Sequence, residues 1–118
     1  MASLENLPKL TKIILSQNEI EDISPVSGLT GVRYLSLAWN KIKNIEALSQ
    51  LVNMEILYLY NNNIEEIGSI ENLINLQDVA VENNCITDFS PIEHLKENGK
   101  LTTATGDSAE EQDYARCE

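Results

Sequence analysis

The stretch "LYLYNNNI", Leu57–Ile64, decides how this chain folds. Leucines at 57 and 59 alternate with tyrosines at 58 and 60, the two-residue period of a short strand with one buried face. Three asparagines follow at once, and asparagine is a residue of turns. A strand that breaks into a turn so soon cannot bury much by itself. It must lean on copies of itself.

The copies are there. Four units of 22 residues begin at Leu7, Leu29, Leu51 and Leu73 and run to His94 without an insertion. In every unit, positions 1, 4, 7, 9, 14, 17 and 20 are apolar and position 12 is asparagine. Positions 7 and 9 form the buried side of the strand. Positions 14, 17 and 20 recur every third residue, as in a 3₁₀-like or extended return. Each unit is one coil, and coils that stack share a continuous core with parallel strands about 4.8 Å apart.

A polar side chain in such a core costs free energy unless it is hydrogen-bonded. An amide both donates and accepts, so Asn18, Asn40, Asn62 and Asn84 read as a structural ladder at the bend after each strand. Asn61 and Asn63 fall outside the buried register and are free for contact. In the returns, "ISPV" at 23–26 and "FSPI" at 89–92 place Ser before Pro, which suits the first turn of a short helical piece.

The repeat bounds the domains. Leu4 fits position 20 of a preceding coil, so residues 1–6 read as its remnant, with the four repeats at 7–94. Residues 95–106 form a polar capping coil, in which Leu95 and Leu101 still fit but Asn98, Thr103 and Gly106 do not. Residues 107–118, "DSAEEQDYARCE", carry five acids and one arginine and read as a disordered tail. No amphipathic capping helix precedes Leu7, so the first coil would expose apolar side chains and an open strand edge. A longer parent chain or a partner would then cover that end.

"VRYLSLAWN" at 32–40 and "MEILYLYNN" at 54–62 fit the pattern LxxLxLxxN, and the chain resembles the leucine-rich repeat family over residues 4–106. Its constant unit length and "ISP" returns are similar to the class that contains bacterial internalins and phosphatase-regulating leucine-rich repeat proteins. "LAWNKIKNIEAL" is equally similar to phosphatase-regulator and axonemal dynein light-chain relatives. The resemblance implies an α/β solenoid with a concave parallel β-sheet, short 3₁₀ or extended returns on the convex side, and partner binding as the usual role. An internalin-type N-terminal cap, export signal and wall-anchoring motif are missing from these residues.

Composition narrows the partner. A net charge of −11, from 8 basic and 19 acidic residues, repels nucleic acid and anionic membranes. No apolar run approaches the length of a membrane span, and "MASLENLPKL" lacks the basic flank and apolar core of a secretory signal. Cys85 and Cys117 are too few and too far apart for a disulfide framework or zinc site, and Cys85 reads as an incidental thiol. These features place the chain as written in the reducing cytoplasm, and make it secreted or surface-bound only as part of a longer exported protein. His94, the single histidine, reads as a solvated loop residue, and no Gly-rich phosphate loop or calcium loop is present. No catalytic residue, metal site or cofactor is expected. The acids Glu19, Glu21, Asp22, Glu65 and Glu66 read as a solubilising edge.

Positions 6, 8 and 10 face outward along the sheet, with position 11 at its rim. Four of the six aromatic residues fall there: Tyr34, Trp39, Tyr58 and Tyr60. Ile14 and Ile56 extend the patch and Asn61 borders it. Exposed aromatics clustered in this way mark protein-binding hot spots, although cross-strand packing uses the same residues. The expected function is a non-enzymatic module that binds a partner protein through this concave face. The alternative is an assembly fragment that forms homo-oligomers through its uncapped N-terminal coil.

Overall fold

Five strands of three residues each lie in one parallel sheet, in chain order. The computed structural model describes residues 11–117. The strands are β1 (Lys12–Ile14), β2 (Tyr34–Ser36), β3 (Ile56–Tyr58), β4 (Asp78–Ala80) and β5 (Thr103–Thr105). Lys12 pairs with Tyr34, Tyr34 with Ile56 and Ile56 with Asp78, one repeat apart each time. Past each of the first four strands the chain turns left-handed at position 11, with φ of 59° at Gln17, 60° at Trp39 and Asn61, and 55° at Asn83.

The apolar columns meet inside the coils. Leu35, Leu57 and Val79 are fully buried, as are Ile42, Ile64 and Ile86, while Leu15, Ile20 and Phe89 are partly covered. The returns are 3₁₀ turns at Ser24–Gly28, Glu46–Leu48 and Gly68–Ile70. The fourth return is a true helix, α1 (Ser90–Asn98), which buries Pro91, Ile92 and Leu95. Proline stands in the first turn of the first and fourth returns, but the preceding serine hydroxyl caps neither. Asp22 and Asp88 instead accept the backbone N–H of Ser24 (2.9 Å) and Ser90 (3.0 Å), and Asn44 accepts that of Glu46 (2.8 Å). These bonds hold the Asp22 and Asp88 carboxyls below the usual carboxylate range.

The asparagine row ties coil to coil. Asn62 accepts the N–H of Ile42 in the coil before (3.0 Å) and donates to that coil's Leu37 carbonyl (2.9 Å) and its own Leu59 carbonyl (3.1 Å). Asn40 and Asn84 repeat the pattern on Ile20 and Leu15, and on Ile64 and Leu59. Asn18 is exposed, and among the described residues it bonds within its own coil, to the Leu15 and Ser16 carbonyls. The residues before it, including Leu4, Leu7, Leu10 and the expected remnant coil at 1–6, lie outside the described residues. So does the surface expected to self-associate.

The C-terminal expectations need correction. Residues 107–117 are not disordered: they form 3₁₀ turns at Ala109–Glu111 and Tyr114–Cys117 that lie against the fourth coil. Gln112 supplies the next rung of the ladder, since its Oε1 accepts the Ile86 N–H (3.2 Å) and its Nε2 donates to the Val81 carbonyl (3.1 Å). β5 pairs Thr103 with Asp78, three residues later than the repeat would place it, because α1 lengthens the return. Gly106 ends β5 at φ 83°, where a Cβ would stand 2.1 Å from the Glu82 nitrogen, so no other residue fits. Cys85 is no free thiol: it is bonded to Cys117, 32 residues away. Closing such a loop contributes about 3–4 kcal/mol in the chain-entropy account. The cysteine argument for a reducing compartment falls with this bond.

Asn62→Ala would orphan the buried Ile42 N–H and take one of two donors from the Leu37 and Leu59 carbonyls, which keep Asn40 and Asn84. The loss is about 1–3 kcal/mol for the orphaned group before the lost packing is added. Gln112→Ala affects only the outermost rung, so the coils should hold while trypsin gains access to Arg116. Urea denaturation and timed proteolysis check both. An Asn62→Ala protein as stable as the parent would remove the ladder from its structural role.

Candidate functional site

The sheet register lines up the concave side chains in rows. Position 8 runs Ile14, Ser36, Tyr58, Ala80, so one large ring sits between two small neighbours. Ser36 and Ala80 are accordingly buried although they point out of the core, while Ile14 is 58% exposed. Position 6 runs Lys12, Tyr34, Ile56, Asp78, from cation through one aromatic and one aliphatic side chain to anion.

Three tyrosines form a continuous cluster. Tyr34 and Tyr58 meet edge to face, with ring centroids 5.8 Å apart at 84°, and Tyr60 follows 6.2 Å from Tyr58. The Lys12 ammonium lies 4.8 Å from the Tyr34 ring centre, a cation–π contact at one end. At the other end the Tyr58 hydroxyl donates to Asp78 Oδ2 at 2.9 Å. Donation to this carboxylate, helped by burial and by the carboxylate's charge, pushes the Tyr58 phenol up to about 12. Tyr34, Ile56, Tyr58 and Tyr60 are all half-buried, so each side chain is held by its neighbours and offers one free side.

The other two expected contact residues lie elsewhere. Trp39 is 52% exposed but stands on the rim in the left-handed conformation, beside a shallow recess lined by Gln17, Asn18 and Glu19. Among the described residues it forms no ring pair with the tyrosines. Asn61, expected at the surface, is buried at 7% exposure, and its Oδ1 receives the Asn83 amide at 3.4 Å. Trp39 and Gln17 hold the same left-handed conformation and stay exposed, so the burial of Asn61 comes from its neighbours, Asn83 of the next coil among them. Among the described residues no three His, Cys, Asp or Glu side chains converge to hold a metal ion, and no helix is long and apolar enough to cross a membrane.

Two features escaped sequence reasoning. Column 16 holds Asp22, Asn44, Glu66 and Asp88, and its three short side chains, Asp22, Asn44 and Asp88, are the signal for the turn bonds described above. Gln112 gave no signal, because its rung is reached from outside the repeat register.

An open solenoid of asparagine-laddered coils, with side chains displayed in rows on a concave sheet, defines a leucine-rich repeat domain. The chain belongs to that family: a leucine rich repeat model matches residues 8–64 and a two-copy leucine rich repeat model matches 52–94. Its fold is similar to internalin C2 from Listeria monocytogenes, with a TM-score of 0.84 and 32% identity over 89% of this chain and 45% of that one. A second Listeria monocytogenes internalin, inlF, matches at 0.83 and 30%, over 88% of this chain and 30% of that one. A leucine-rich repeat protein of Leptospira interrogans follows at 0.75 and 28%, over 87% of this chain and 27% of that one. The chain thus spans less than half the length of each of these structures. Among curated proteins, none matches.

The raised Tyr58 value is directly measurable. In a spectrophotometric titration one tyrosine should ionise near pH 12, and Asp78→Asn should bring it back towards the ordinary value of about 10. Because the folded value is raised, this contribution to stability is complete below about pH 10 and lost as pH climbs through 12. An unchanged titration in Asp78→Asn would contradict the hydrogen bond.

Proposed function

We propose that this chain is a non-enzymatic binding module that grips another protein through the tyrosine cluster on its concave face. The carrying observation is the unbroken Tyr34–Tyr58–Tyr60 contact, with Ile14 and Ile56 flanking it. Tyrosine offers a broad apolar ring and a polar tip, and rings already fixed by stacking lose little entropy on binding. The row from Lys12 to Asp78 adds direction, favouring a partner with an acid over the first coil and a base over the fourth. Asn61 drops out of the contact set by its burial, and Trp39 borders it at the rim. The charge of −11 disfavours nucleic acid and anionic membranes as competing ligands.

The test begins with a partner captured from native cell extract and then titrated in purified form. Tyr60→Ala and Ile14→Asp should each weaken it by about 30-fold, the size of a 2 kcal/mol hot spot. Ile14→Asp should do so at unchanged melting temperature, and Tyr60→Ala with about 0.5–1.5 kcal/mol of stability lost with its contact to Tyr58. Tyr58→Ala is a poorer probe, since it also removes an aromatic pair and a hydrogen bond worth together about 1–3 kcal/mol of stability. Full affinity in both Tyr60→Ala and Ile14→Asp would rule out this face.

The bond between Cys85 and Cys117 supports a second part of the reading, that the chain works in an oxidising compartment. Alkylation of intact cells before lysis should leave both cysteines unlabelled. Quantitative labelling would return the chain to the cytoplasm.

A further inference from the structure

The tail displays how the solenoid rim binds a cation. Backbone carbonyls at position 12 form a row along the rim. Asn84 O accepts the Asp113 N–H at 3.0 Å, and Asn62 O accepts Arg116 Nη1 at 3.1 Å. Asp113 steadies that guanidinium through Nε at 3.4 Å. The next carbonyl in the row, Asn40 O, has no partner among the described residues.

One coil earlier, the same position is better furnished for a cation. Where the Arg116 site has Asn61 at position 11 and Lys41 at position 13 of the coil before, the Asn40 site has Trp39 and Glu19. An indole and a carboxylate replace an amide and an ammonium, and the recess lined by Gln17, Asn18, Glu19 and Trp39 opens beside them. Tryptophan is the strongest cation–π acceptor, and guanidinium is the cation that stacks and donates in one plane. Lys41 Nζ lies 4.0 Å from Glu19 Oε1, but both groups are exposed and such a bridge yields easily. Trp39 also keeps the left-handed conformation that asparagine occupies in the next two coils, where a bulky residue is strained. Strain retained at an exposed residue points to use.

We infer that the rim of the second coil is a separate binding site for an arginine side chain on an extended segment of a partner protein. The guanidinium donates to Asn40 O, stacks on Trp39 and pairs with Glu19. This site stands apart from the tyrosine face and does not need it.

Trp39 is the only tryptophan in the chain, so its fluorescence reports the site. The probe is acetyl-Asp-Tyr-Ala-Arg-Ala-amide, set against the same peptide with neutral citrulline for arginine, both at low salt. The arginine peptide should shift Trp39 emission saturably and bind about fivefold tighter than its citrulline counterpart. Glu19→Lys, which removes the pairing carboxylate and sets a second ammonium beside Lys41, should abolish that preference, whereas Tyr60→Ala should leave it intact. Trp39→Asn, followed through the Lys41 amide by NMR, should lose binding while its melting temperature rises. Equal affinity for the two peptides overturns the proposal, as does an unaltered preference in Glu19→Lys. Shifts confined to Asn62, meaning that the peptide merely displaces the tail, overturn it too.

Discussion

Everything in this molecule hangs on the amide of one asparagine per coil. Asn62 is wholly buried, and a buried amide is tolerable only when its donors and acceptor are all engaged. Its partners belong to two successive coils, so it works as a staple with a fixed span. Inserting a residue between Leu37 and Ile42 would pull those groups apart and leave several unpaired at once. Constant unit length thus follows from hydrogen bonding more than from hydrophobicity, since apolar columns tolerate approximate packing and a buried amide does not.

The same register creates the candidate binding face. With coils in fixed phase, a residue's neighbours on the sheet are those one unit away, so a large ring can be supported by small residues on either side. Tyr58 between Ser36 and Ala80 is that arrangement, and the Tyr34 ring meets it edge on from the adjacent coil. The core columns are held almost constant, and the outward columns vary freely from Lys12 to Asp78. Chemical individuality therefore resides on the concave surface and the rim. The scaffold spends nothing on varying them.

What was legible in the sequence follows from this division. The columns, the parallel strands and the asparagine row could be read because each is a local pattern repeated at one period. Asn61 is buried where alternation points it outward, because it is engaged by Asn83 from the next coil, a contact between coils that alternation does not encode. Trp39 stands apart from the tyrosines for a different reason: the left-handed turn at position 11 swings it away from the sheet. The tail was misread on composition. Glu110 and Glu111 do face solvent, but Gln112, Tyr114 and Cys117 fasten the tail through contacts that no periodicity announces.

The tail also shows what a stacked array needs at its end. The fourth coil presents the Ile86 N–H and the Val81 carbonyl, groups that the asparagine of a further coil would satisfy. The chain does not continue the repeat there. It lengthens the last return with α1, turns at Gly106, and brings glutamine, one methylene longer than asparagine, to the same two groups from another direction. The longer side chain absorbs the change of register, so the hydrogen-bond pattern is kept while the length constraint is released. Only then can polar residues close the array, with the Cys85–Cys117 bond and the Tyr114 hydroxyl on the Ile86 carbonyl holding the closure in place. The cap completes the ladder by chemistry where the repeat completed it by spacing.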